Sequence, residues 1–194
     1  MQQNITRAGL IAALYAALTL LTMTLLGGFS FGPVQLRISE AVCIFAILSR
    51  SAIPGLTIGC VIANLLGIAI LGTGPLGLLD VCFGSLATLL GSLWAWKWRK
   101  RTAIALAGPV IANALIVPAY LPIMLATAGF YTIPFTDIDL ASSYLLMYIF
   151  GFVAIAIGEA LVVYVLGLPL LAGLKRTPLF KQQKASQDAQ EQNA

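Results

Sequence analysis

The chain contains no histidine. That removes imidazole from the roles it most often fills: base to a serine nucleophile, zinc ligand, proton relay near neutrality. Charge is scarce as well, with Asp, Glu, Lys and Arg together at 9% of residues. No glycine precedes a lysine, so the phosphate-cradling loop of P-loop nucleotidases is missing. Only three cysteines occur, Cys43, Cys60 and Cys82, all inside apolar stretches. Their spacing suits neither a disulfide nor a metal site, and all three read as small buried residues. Asp80 lacks the glycine framing of a membrane aspartyl protease. These absences argue against an enzyme, a resident metal and a cofactor.

What remains is apolar. Hydrophobic residues make up 60% of the 194, and the mean hydropathy is +0.96. No soluble domain has that composition. It predicts an all-α bundle that crosses a membrane. A crossing needs about 20 apolar residues, and six candidate segments are visible: 7–27, 37–49, 52–71, 76–97, 102–125 and 143–172. The second is short, and Gly32 and Pro33 break any helix just before it. Pro109, Pro118 and Pro122 are expected to kink the fifth. The first stretch has no small-residue cleavage site and reads as a retained helix. Residues 1–176 form one membrane domain in this reading, and the polar tail 177–194 is expected to be disordered.

Six crossings put both ends on one side. Ten of the eleven basic residues then fall on that side: Arg7, Arg50, Lys97, Arg99, Lys100, Arg101, Lys175, Arg176, Lys181 and Lys184. By the positive-inside rule it is the cytoplasmic side. Trp94, Trp96 and Trp98 precede the inner basic run as an interfacial belt. That run reads as a lipid-headgroup and topology signal rather than a nucleic-acid patch.

The exception is Arg37. It stands with Gln35 and Glu40 at the outer mouth of the second segment. Asn64 falls in the outer half of the third, Asp80 one turn into the fourth, Asn113 near the middle of the fifth and Glu159 near the middle of the sixth. Tyr144, Tyr148, Gly151, Phe152, Ile155 and Glu159 recur at helical spacing. A charge at the bilayer centre costs ~3 kcal/mol on insertion scales, so such residues mark function by default. Blander readings stay open. Arg37 and Glu40, at i and i+3, are placed to neutralise each other, and Asn64 and Asn113 suit interhelical glue. Yet Arg37 cannot neutralise Glu40, Asp80 and Glu159 together, which favours a solute site with few polar groups and much apolar wall. On the first helix, Ala8, Ala12 and Ala16 form a small-residue stripe, open to packing within the bundle or to docking by another membrane subunit.

Three blocks, FGPVQLRISEAV (31–42), AIPGLTIGCVIANLLG (52–67) and DVCFGSLATLLGS (80–92), together resemble the QueT family of queuosine-precursor transporters. These are substrate-binding S components of energy-coupling factor (ECF) importers, and the likeness covers about residues 5–175. The resemblance implies six helices with both ends in the cytoplasm of a bacterial cell and a solute bound from outside. It also implies partnership with a transmembrane T component and two ATPases, and transport by tipping of the loaded subunit in the membrane. Ala8, Ala12 and Ala16 match the stripe that contacts the T component. The expected substrate is a deazaguanine base or related salvage compound. Glu40 or Glu159 would then accept from its N–H edge, with Asp80 facing an amine or hydroxyl substituent. Arg37, Gln35 and Asn64 would donate to the carbonyl or a ring nitrogen, and Phe29, Phe31 or Tyr148 would stack on the base. The rivals are a self-sufficient secondary carrier, with Glu159 as its proton site, and a structural membrane subunit that binds no solute. An intramembrane enzyme has the least support.

Overall fold

The computed structural model describes residues 2–27, 36–127 and 143–177. Gln35, Phe29 and Phe31, most of the outer loop and the tail from 178 lie outside the described residues. The described chain is all helical. Helix α1 runs Gln2–Leu26, the short α2 Ile38–Leu48, α3 Ala52–Leu71, α4 Gly74–Lys97, α5 Thr102–Thr127 and α6 Tyr144–Arg176. All but α2 are long and apolar enough to cross a membrane. Their Leu and Ile side chains outside the bundle, such as Leu10, Ile62, Leu90 and Ile157, are exposed, as a lipid-facing surface requires.

The second segment, expected to be short, is α2. Its seven residues of 3-10 helix, Ile38–Ile44, and four of α-helix, Phe45–Leu48, extend about 20 Å, short of a ~30 Å hydrocarbon core. From Ser39 to Leu48 every residue except Phe45 is buried. A helix buried all round belongs inside a bundle, which is where α2 stands.

Two close approaches fix the chain direction. A Cβ built on Gly55 would lie 2.6 Å from the Ala8 carbonyl oxygen, and one on Gly59 2.7 Å from that of Ala12. Only glycine allows those backbones so near. The paired residues ascend together, so α1 and α3 are parallel. The chain between them therefore returns to the side where α1 begins, and α2 is the described part of that return. Elsewhere the neighbours are antiparallel. Tyr144, Tyr148 and Tyr164 of α6 donate to the carbonyls of Ala119, Leu115 and Ala103 of α5 in descending order. Arg7, Ser49, Ser51 and Thr177 line one cavity of about 380 Å³, which places the start of α1, the α2–α3 turn and the end of α6 at one face.

The three prolines of α5 sit inside a helix that continues past them. The backbone of Gly91 in α4 faces Pro109, and that of Gly151 in α6 faces Pro118; a Cβ on Gly151 would lie 3.2 Å from the proline ring. The prolines are thus packing surfaces. Cys82 departs from the buried reading: it is exposed on the outside of α4, whereas Cys43 and Cys60 are buried. Two apolar cores result. One surrounds α2 and includes Tyr15, Ile44, Leu56, Leu106 and Val163. The other joins α5 to α6 through Ala114, Val117, Leu121, Met147 and Ile155.

Candidate substrate site

Polar side chains gather where α1, α2, α3, α4, α5 and α6 approach one another. The start of α2 supplies two of them. Arg37 precedes its first turn in extended conformation, and Glu40 lies within that turn. Both are buried, at 4% and 1% exposure. Glu40 accepts from the Tyr15 hydroxyl of α1 and from the Cys43 thiol at 3.1 Å. Thr19, one turn beyond Tyr15, donates to Ser39 at 2.7 Å. Thus α1 grips α2 by a hydroxyl stripe.

Asp80 opens the second group. It begins a five-residue π-helical stretch, Asp80–Gly84. Such stretches shift side chains out of α-helical register and often occur at functional sites. Its carboxylate accepts from the Tyr120 hydroxyl of α5 at 2.6 Å and lies 3.9 Å from the Arg37 guanidinium. The backbone carbonyl of Asp80 accepts from Asn64 Nδ2 of α3 at 2.7 Å. Arg37 and Asp80 therefore form an ion pair, with Tyr120 and Asn64 holding the Asp80 end from both flanks.

Glu159 is placed differently. It stands just before the second π-helical stretch, Leu161–Gly167, and is 3% exposed. It lies within the electrostatic reach of Glu40 and Arg37. Its Oε2 has no hydrogen-bond partner among the described residues, and the same holds for Asn113 Nδ2 and Asn64 Oδ1. A buried polar atom without a partner costs about 1–3 kcal/mol, so each such atom calls for an explanation.

Most of the expected set thus converges: Arg37, Glu40, Asn64 and Asp80 at the contacts just described, and Glu159 through its charge. Asn113 is buried on α5. Tyr148 does not join. It lies on the α5–α6 seam, half-buried, with its hydroxyl on the Leu115 carbonyl at 3.1 Å. The inward face of α6 is Met147, Gly151, Ile155 and Glu159, while Tyr144 and Phe152 are exposed. Of the alanine stripe, Ala12 and Ala16 are buried and Ala8 is half-buried. Ala8 and Ala12 lie against Gly55 and Gly59, so much of that stripe is packed within the bundle.

Three contributors escaped the sequence reading: Tyr15, Tyr120 and Cys43. Signals existed for two of them. Tyr15, Thr19 and Thr22 repeat at i, i+4 and i+7 in α1, and Asn113, Val117 and Tyr120 repeat likewise in α5. Each is an inward stripe carrying polar groups.

The family model described as QueT transporter matches residues 5–176, nearly the whole chain. This chain belongs to the QueT transporter family. A relative from Lactococcus lactis subsp. cremoris (strain MG1363), named Queuosine precursor transporter QueT, is 36% identical over 87 residues, covering 45% of this chain and 50% of the relative. The match thus spans about half the length of that curated relative. No solved structure matches. Family membership and five apolar helices make this QueT-family chain a multi-pass protein of the bacterial cell membrane.

Proposed function

We propose that this chain is the substrate-binding S component of an ECF-type importer. It captures a queuosine precursor, a deazaguanine base or related salvage compound, from outside. It delivers that solute together with a T component and two ATPase subunits, which supply the ATP hydrolysis. The observation that carries this reading is the buried cluster itself: three acids, Glu40, Asp80 and Glu159, against Arg37, in a chain of a transporter family. Arg37 is paired with Asp80. Glu40 takes two neutral donors, and Glu159 keeps an oxygen unpartnered among the described residues. A purely structural set of salt bridges would have closed that account with a second cation.

A deazaguanine offers a ring N–H and an amino group beside a carbonyl. Carboxylates of the cluster accept from the first two, and a donor among Asn64, Asn113, Arg37 and Gln35 serves the carbonyl or a ring nitrogen. Asp80 faces a substituent bearing an amine or hydroxyl, and Phe29 or Phe31 stacks on the base. The chain crosses the membrane six times, with both ends cytoplasmic. In support, α1 and α3 are parallel, and Arg7, Arg50, Lys97, Arg99, Lys100, Arg101, Lys175 and Arg176 lie at or next to helix ends that share one face. Residues 1–176 are the single membrane domain, and 177–194 are a polar cytoplasmic tail. The T component docks along α1, where Ala8, Ala12 and the exposed Gly9 line an open groove of about 680 Å³ with Pro54 and Ile58.

The test is uptake of radiolabelled deazaguanine bases into proteoliposomes carrying the chain alone or with its energising module. Expected are binding by the chain alone and accumulation only with the module and ATP. Accumulation by the chain alone under a proton gradient would make it a secondary carrier. No binding at all would make it a structural subunit.

A further inference from the structure

The two unpartnered polar atoms on α5 and α6 differ in kind. Glu159 Oε2 is an acceptor when ionised; Asn113 Nδ2 is a donor. Both side chains are 3% exposed, and they belong to neighbouring antiparallel helices. The register can be read from the contact of Gly151 with Pro118. Counting inward from it along both helices, Asn113 stands opposite Ala156, less than one turn from Glu159. Helical side chains lean toward the N-terminus of their own helix. In this antiparallel pair Asn113 therefore leans inward and Glu159 outward, so their polar ends approach one level. The other buried acids are occupied there: Glu40 by Tyr15 and Cys43, Asp80 by Tyr120 and Arg37.

An acceptor and a donor at nearly one level on neighbouring helices, both buried and both without partners among the described residues, are the complement of a flat edge presenting donors next to a carbonyl. We infer that Glu159 and Asn113 read the amino-lactam edge of the solute, Glu159 accepting from the ring N–H and exocyclic amine and Asn113 donating to the carbonyl. This assignment rests on the proposed capture of a deazaguanine, and it deepens that reading by naming which residues select the base. It leaves Glu40 and Asp80 to hold the scaffold and to meet whatever group extends from the other side of the ring. Selectivity follows from leaving a buried polar atom bare. A base lacking the amine strands the carboxylate, and a base with an amine in place of the carbonyl sets donor against donor.

The experiment is titration calorimetry on the full detergent-purified chain with three bases: 7-deazaguanine, 7-deazahypoxanthine, which lacks the exocyclic amine, and 7-deazaadenine, which has an amine in place of the carbonyl and lacks both the ring N–H and the 2-amine. The two analogues are expected to bind about tenfold to hundredfold more weakly than 7-deazaguanine. Glu159→Gln is expected to lose affinity for 7-deazaguanine by a similar factor and to narrow the gap to 7-deazahypoxanthine. Asn113→Leu is expected to narrow the gap to 7-deazaadenine. Equal binding of all three bases by the unaltered chain overturns the inference while leaving solute capture intact, and this arm needs no variant to fold. Unchanged selectivity in both variants, eluting as single species, overturns it as well. Failure of every base to bind the unaltered chain removes the capture reading and this assignment with it.

Discussion

Tyr120 of α5 donates its hydroxyl to the Asp80 carboxylate of α4 at 2.6 Å, across 40 residues of sequence. The bond ties the π-helical stretch of α4 to a helix that carries three prolines. Its removal leaves a buried carboxylate one donor short. Tyr120→Phe is expected to destabilise the purified chain by about 1–3 kcal/mol, seen as a lower thermal midpoint in detergent. Asp80→Asn added to it should cost less than the sum of the two single changes, because both act on one contact. Additive losses would show that the two residues stabilise the bundle independently.

Close backbone contact between α1 and α3 gives a sharper contrast. Gly59→Ala places a methyl group 2.7 Å from the Ala12 carbonyl oxygen and 2.9 Å from the Tyr15 Cβ. The helices must separate, and the Tyr15–Glu40 bond behind them is strained with them. Overpacking of this kind costs typically about 1–3 kcal/mol. Gly9, on α1, is the opposite case: a Cβ added there would meet nothing within 4 Å. Gly9→Ala is expected to be neutral or to stabilise by up to about 1 kcal/mol through helix propensity. Thermal midpoints of the two variants, measured side by side, check the pair. Equal effects would mean that the α1–α3 contact is looser than the geometry requires.

Much of this arrangement was legible from residue types alone. Five helices were plain because 20 or more apolar residues in a row have few alternatives in lipid. The short α2 was visible through Gly32 and Pro33 before it and Arg50 after it. What hydropathy could not give was its burial, because a run such as Ala41-Val42-Cys43-Ile44 suits lipid and bundle interior equally. Arg37, Glu40, Asp80 and Glu159 stood out because charge is expensive in the membrane. Tyr15, Tyr120 and Cys43 did not, since each is also an ordinary apolar side chain until a carboxylate is placed beside it. Tyr148 stands apart from the buried cluster for a related reason. Its helical spacing with Glu159 is real, but one position of rotation turns a residue from the interior onto the α5–α6 seam. Pairing across helices is set by register, and register depends on contacts such as Gly151 with Pro118 that no single segment contains.

Orientation yields a prediction through the exposed turns. Pro75 lies at the α3–α4 turn, and Arg50 at the α2–α3 turn; both are exposed. In a Cys82→Ser background, which removes the exposed native thiol, single cysteines are introduced as Pro75→Cys or Arg50→Cys. A membrane-impermeant maleimide is expected to label the first on intact cells and the second only after permeabilisation. The reverse pattern would invert the positive-inside assignment.

The ion pair of Arg37 and Asp80 at 3.9 Å invites a test of charge balance. Replacing Arg37 with Leu leaves three buried carboxyl groups in one cluster without that cation, and breaking a buried pair from one side costs about 3–5 kcal/mol. Asp80→Asn alone also removes a partner, but the amide still accepts from Tyr120, and Arg37 still has Glu159 within electrostatic reach. The order expected in thermal midpoint is therefore unaltered chain, then Asp80→Asn, then Arg37→Leu, with the Arg37→Leu, Asp80→Asn double variant above Arg37→Leu alone. The recovery is the informative part. It appears if Arg37 holds the cluster together chiefly by neutralising carboxylates, because taking one acid away relieves the same excess. A double variant no more stable than Arg37→Leu would instead assign the loss to the guanidinium's packing and hydrogen bonds, and the acid excess would then have no measurable hold on the fold.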